Sequence, residues 1–128
     1  VPRSLKHVPD LFQPLAFTLA ALNQPAVLTG LDNLRVKETD RLRAVADAIQ
    51  RMGGDAAFAD GAFAVKEGIT HPVDAPFDPD HDHRMALALA PLALKLGTIA
   101  IHDPQVVNKS YPGFWEDLKQ AGFGVHLA

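Results

Sequence analysis

Two windows of about a dozen nearly unbroken apolar residues, 11–22 and 85–96, each stand behind an aspartate, and those aspartates, Asp10 and Asp82, are 72 residues apart. Lys37 and Lys109 keep the same shift. In each copy a capping aspartate opens an apolar helix, a short strand follows, and a polar loop delivers a lysine ahead of a further helix. A recurrence of this period within 128 residues points to a duplicated supersecondary unit and restricts the chain to folds built by stacking two such units. Neither window approaches the roughly 20 residues that a membrane-crossing helix needs, so both are expected to be buried helices.

The chain is 48% hydrophobic with a formal charge of −3, enough for one modest core or two small ones and contrary to the broad basic face that nucleic acid demands. It has no cysteine, which excludes a disulfide framework and thiolate metal sites. With no signal or transit segment visible, a cytoplasmic location is expected. The opening Val1-Pro2-Arg3-Ser4 fits either a native segment or part of a protease-site scar, so residues 1–6, read as native chain or as a tag or linker remnant, are given no structural weight. Residues 7–128 are expected to form one body, with repeat units at about 7–70 and 79–128.

Periodicity places a first helix at 11–22 between Asp10 as cap and Asn23 as stop, with Pro14 in its first turn. A strand at 26–29 follows. A second helix at about 39–52 carries Leu42, Val45, Ala46, Ile49 and Met52 on one stripe, with Arg43, Asp47, Gln50 and Arg51 facing out, and Gly53-Gly54 closes it. Strands near 56–59 and 63–66 are joined by Asp60-Gly61, a hairpin turn signal. After a loop rich in proline and aspartate, Asp82 caps a third helix running to about Gly97, which Pro91 should kink. A strand at 98–102, a helix at 111–120 capped by Ser110 with Pro112 in its first turn, and a last strand at 124–127 complete the second copy.

If each strand returns the chain between successive helices, four helix starts gather at one edge. They bring Asp10; Lys37, Glu38 and Arg41; His83 and Arg84; and Lys109. Cations at a helix N-terminus oppose its dipole and need an anion nearby, either ordinary partners within the chain or a bound phosphate or carboxylate. For Lys37, Glu38 and Arg41 a solvated helix end with ordinary ion pairs and a ligand site both fit. Arg84 has Asp80 and Asp82 within reach as partners. His81 and His83 lack a third ligand at helical spacing, so no metal site is expected.

The strings Asn33-Leu34-Arg35-Val36-Lys37-Glu38-Thr39-Asp40-Arg41, Asp82-His83-Arg84-Met85-Ala86 and Asn108-Lys109-Ser110-Tyr111-Pro112, with His7-Val8-Pro9-Asp10 before them, resemble in order and spacing the C-terminal part of the 5-enolpyruvylshikimate-3-phosphate synthases. The resemblance runs from about His7 to Phe123. It implies an α+β fold of repeated βαβαββ units, helices inward and sheets outward, with part of one lobe present. It also implies transfer of the enolpyruvyl group from phosphoenolpyruvate to shikimate 3-phosphate, with no metal or organic cofactor. Carried over by motif, Asp10 and Glu38 are the catalytic carboxylates. Asn33 and Lys37 contact shikimate 3-phosphate, Arg41, Arg84 and Lys109 clamp phosphoenolpyruvate, and His83 supports the site.

Family enzymes are about three times longer, so the remainder of the same enzyme is an implied partner and this fragment alone is expected to be inactive. Pro91 has no counterpart in the family pattern. The competing expectation is a non-catalytic anion-binding or scaffold module of the same fold. The pair Asp10 and Glu38 favours descent from a working enzyme, because binding alone does not require both carboxylates.

Overall fold

The structure is a computed structural model and describes residues 2–5, 11–32 and 36–126, with the side chains of Pro2, Arg3 and Lys37 outside the description. Its first half follows the order β1 (Pro2–Ser4), α1 (Phe12–Ala21), β2 (Ala26–Thr29), α2 (Val36–Arg51), β3 (Asp55–Ala59), β4 (Ala62–Glu67), one βαβαββ unit. The sheet order is β1-β2-β4-β3, with β1 parallel to β2 and both other pairs antiparallel. Residues 2–4, given no structural weight from the sequence, supply the edge strand, and Leu5 behind them is buried while its N–H meets Thr29 O at 2.8 Å. Three residues beginning with proline have no readable period. Proline is accommodated there because it opens an edge strand.

α2 forms as its stripe requires: Leu42, Val45, Ala46, Ile49 and Met52 are all buried against the sheet. Burial of each large side chain contributes about 1.5–3 kcal/mol, well beyond the ~0.5 kcal/mol differences in helix propensity. The helix starts three residues before the expected Thr39, at Val36, which is 78% exposed. First-turn residues need no apolar partner, so a start placed by hydrophobic period comes late. Lys37 and Glu38 therefore lie inside the first turn. Gly53, at φ 86°, ends the helix, and Asp60 and Gly61, both at positive φ, make the hairpin turn that the Asp-Gly pair predicted.

α1 ends at Asn23 in the left-handed region, and the Asn23 side chain accepts the Gly68 N–H at 3.0 Å. Its expected cap, Asp10, lies outside the described residues. Phe12 and Phe63 meet edge to face at 4.8 Å between ring centres, which joins α1 to β4 in the main core. The outward face of the sheet is left open, as Val27 illustrates.

The second half keeps its helices and loses its strands. α3 (His83–Leu89) is capped by Asp82 as expected; at Pro91 the expected kink is a full break, with a 3₁₀ turn at Ala90–Leu92 before the short α4 (Ala93–Leu96). The expected strand at 98–102 is reduced to one bridge between Phe77 and Ile101, and the described part of 124–127 forms none. A strand exists only as a pair, and these segments find no further partner among the described residues. The last helix, α5 (Phe114–Gln120), starts behind Gly113 rather than Ser110, because a 3₁₀ turn at Pro104–Val107 already receives the Ser110 and Tyr111 N–H groups on Val107 O. Phe114 packs with Ala86, Ala90 and Val107 in a separate small cluster. No helix among the described residues is long and apolar enough to cross a membrane.

Candidate functional site

Three of the four expected helix starts meet through side chains. Asp82, in extended backbone before α3, accepts the Arg84 N–H on Oδ1 at 3.0 Å, as an N-cap does. Its Oδ2 accepts two further bonds, each 3.0 Å long: one from Nε2 of Gln13 in the first turn of α1, and one from Nε of Arg41 in the second turn of α2. One carboxylate thus joins α1, α2 and α3.

The Arg41–Asp82 pair is mostly enclosed, with the side chains 22% and 12% exposed. Desolvation cancels much of the attraction in such a pair, so its net stabilisation is small, while removing one partner would cost about 3–5 kcal/mol. Its main effect is on position. The pair also answers the question that cations at a helix start raise: Arg41 has an anion within the chain, 41 residues away. Asp82 engages Arg41 only through Nε, and the terminal guanidinium nitrogens make no hydrogen bond to the described residues.

One turn before Arg41, Glu38 has a carboxylate oxygen, Oε2, that is fully enclosed without a hydrogen-bond partner among the described residues. A buried polar atom in that condition costs about 1–3 kcal/mol, so the arrangement is complete only when a donor reaches it. Residues three apart on a helix share a face, and Glu38 therefore lies on the Arg41 side of α2.

The remaining expected residues divide. His83 and Arg84 open α3 and are half-buried at the same junction, and Arg84 meets Asp82 through its backbone. Of its two expected aspartates, Asp82 is engaged by Arg41, and Asp80 sits in a left-handed turn with its N–H on Asp78. Lys109 is exposed in a turn five residues before α5 and makes no hydrogen bond or ion pair with another described residue, so the structure does not join it to the other three starts. Asp10 and Asn33 lie outside the described residues, as does the side chain of Lys37, whose backbone is in α2. No group of three residues suited to a metal ion occurs among the described residues.

Sequence reasoning missed Gln13 and the second role of Asp82. Gln13 is 3% exposed and is the one buried polar residue among those described. Its signal was available: an amide in an apolar helix, three positions after Asp10, has no reason to be inside without a partner. An open cavity of about 760 Å³ lies elsewhere, lined by residues such as Ala93, Leu94, Ile101, Trp115 and Val125. It shares no residue with the junction and lies along the segments that failed to form strands.

Residues 1–118 match the family described as EPSP synthase (3-phosphoshikimate 1-carboxyvinyltransferase). A 3-phosphoshikimate 1-carboxyvinyltransferase of Bacteroides fragilis is 43% identical over 126 residues, covering 94% of this chain and 30% of that protein. One from Methanoculleus marisnigri is 40% identical over 114 residues, covering 89% and 26%. An EPSP synthase structure from Acinetobacter baumannii superposes with a TM-score of 0.75 at 32% identity, covering 94% of this chain and 28% of its own. The chain therefore spans about 30% of the length of the relatives it matches. By family match, identity and fold, this chain belongs to the EPSP synthase family, as a partial lobe of its α+β fold.

Proposed function

We propose that this chain is the C-terminal part of an enzyme that moves the enolpyruvyl group from phosphoenolpyruvate to shikimate 3-phosphate in aromatic amino acid biosynthesis, working with the remainder of the same enzyme. The observation that carries the reading is Glu38: an enclosed carboxylate oxygen with no hydrogen-bond partner among the described residues, one turn from a guanidinium held by its Nε. A scaffold would have no use for that arrangement.

In the proposed reaction the 5-hydroxyl oxygen of shikimate 3-phosphate adds to C2 of phosphoenolpyruvate while C3 takes a proton. The bond from C2 to the phosphate oxygen then breaks, phosphate leaves, and C3 gives up a proton to restore the double bond. Asp10 holds the shikimate hydroxyls and removes the hydroxyl proton, and Glu38 handles the protons at C3. Asn33 and Lys37 contact shikimate 3-phosphate. Arg41, Arg84 and Lys109 hold the phosphate and carboxylate of phosphoenolpyruvate, a task that suits planar guanidinium groups, and His83 supports them. The repeat units at about 7–70 and 79–128 belong to one lobe, the first extended to Pro2 by β1. Taken alone, this chain is inactive, because groups from the rest of the enzyme must complete both anion sites.

The test is phosphate release by the complete protein that carries this segment, with both substrates supplied. Glu38→Gln should lower kcat by about 10²–10⁴-fold while leaving substrate affinity nearly unchanged. A complete protein that binds neither substrate would sink the assignment, and wild-type turnover by Glu38→Gln would remove that residue from the proton transfers.

A further inference from the structure

We infer that Gln13 is a positioning residue that sets the orientation of the Arg41 guanidinium, a role that deepens the anion-holding function just proposed for Arg41. The chemistry of the contact leaves one arrangement. Asp82 is acceptor-only as a carboxylate, so the Gln13 side chain must present its NH₂ group and not its oxygen. Gln13 is 3% exposed, and its amide nitrogen bonds Asp82 Oδ2 at 3.0 Å with Met85 Sδ 3.9 Å away. A buried amide in an apolar helix is costly unless bonded, and its one strong partner among the described residues is the carboxylate that holds Arg41.

Arginine and a carboxylate tend to pair at two points, with Nε and one terminal nitrogen each facing an oxygen. Here Oδ1 receives the Arg84 backbone N–H and Oδ2 is shared between Gln13 and Arg41, so the carboxylate is held in an orientation that meets Arg41 at Nε alone. Gln13 therefore fixes the carboxylate plane from the α1 side. Among the described residues Arg41 has a single point of attachment, at Nε, and both terminal nitrogens are left to hold an anion. Gln13 touches no reacting atom; it acts through Asp82.

The position 72 residues on, in the duplicated register, is Met85, the residue Gln13 touches. Gln13→Met therefore makes the two copies alike at nearly constant volume. Freed on one side, Asp82 should rotate to grip Arg41 at two points, at the expense of ligand affinity. Gln13→Glu is the complementary variant. Among the described residues the charged and titratable groups at this junction are Asp82, which caps α3, His83 and Arg84 of α3, and Arg41 and Glu38 of α2, and α1 itself contributes none. With one proton between them the two carboxyl groups restore the donor; without it they repel.

On this chain, NMR of the arginine side chains should show for Arg41 a slowly exchanging Nε–H with freely rotating terminal groups in the wild type. Gln13→Met should add a rotationally restricted terminal N–H signal while remaining folded by thermal melt. Identical Arg41 spectra would overturn the inference whatever the function. In the complete enzyme, Gln13→Met should raise the KM for phosphoenolpyruvate by about tenfold, as for one lost charge-assisted hydrogen bond, with kcat within about twofold. Gln13→Glu should bind phosphoenolpyruvate nearly as well as wild type at low pH and lose it as pH rises, a slope that Gln13→Met lacks. Equal losses in both variants at every pH would reduce Gln13 to packing and overturn the inference. An inactive wild-type enzyme would instead refute the proposed function, with the Arg41 spectra still deciding the role of Gln13.

Discussion

Residues 2–67 and residues 79–126 share a succession of local signals, helix, strand and helix, and reach different structures. In the first stretch every strand is paired, the sheet has four members, and two helices cover one face. In the second, α3 and α5 form, but the segments read as strands make one bridge and line an open cavity of about 760 Å³. A helix satisfies its backbone within its own segment, whereas a strand must borrow a neighbour. Helix signals therefore translate into structure even in a partial lobe, and strand signals translate only where the partner is also present. The chain spans about 30% of the length of the relatives it matches.

If this contrast is right, the first half is the cooperative unit, and Phe63→Ala should be the most damaging substitution. Phe63 is fully buried and meets Phe12 edge to face at 4.8 Å, so its removal opens a cavity where α1 crosses β4. A loss of about 3–5 kcal/mol is expected in denaturant unfolding. A loss below about 1 kcal/mol would mean that the sheet and α1 are not one unit. Phe114→Ala is the counterpart in the second half. Its cluster is small and its ring already 8% exposed, so the expected cost is smaller, about 2 kcal/mol. Hydrogen exchange should show that loss as opening of residues 104–120 with β2 and β4 still protected. Simultaneous loss of protection in both halves would break the comparison.

Gly61→Ala probes the register of the first sheet. Gly61 sits at φ 74°, and a Cβ there would meet the Asp32 side chain, which is exposed and able to yield. The cost is therefore mainly conformational, about 1 kcal/mol, read as a lower melting temperature. An unchanged melting temperature would mean that the turn does not hold its left-handed form.

How much of this was legible in the sequence depended on how local the determinant was. The stripe on α2, the Asp60-Gly61 turn, the Asp82 cap and the break at Pro91 are each written within a few residues, and the structure follows them. The motif strings placed Glu38, Arg41, His83 and Arg84 in helix openings, and the structure brings those openings together. The contact of Gln13 and Arg41 with Asp82 was not legible, since it joins residues 69 and 41 positions apart and no local period encodes it. Nor was β1, whose three residues gain meaning only beside β2. Lys109 shows the converse: its motif is specific, yet its side chain is exposed and bonds no described residue of the junction.

The smallest expected effect tests whether the exposed end of the second half contributes through anything besides Phe114. Tyr111 donates its hydroxyl to Asp117 Oδ2 at 2.6 Å on the surface. That bond to Asp117, with the nearby negative charge, holds the phenol above its usual 10.0. Because the folded state retains this proton more tightly than the unfolded chain, the contribution is fully present below about pH 10 and is lost as pH rises through the higher folded value. Tyr111→Phe should therefore be slightly less stable than wild type at neutral pH, and the two should converge at strongly alkaline pH. Solvent screens an exposed pair, so the difference should be near the limit of a melting experiment. A gap that instead widens above pH 10 would mean that the phenolate is favoured in the folded state, and Asp117 would not be its partner.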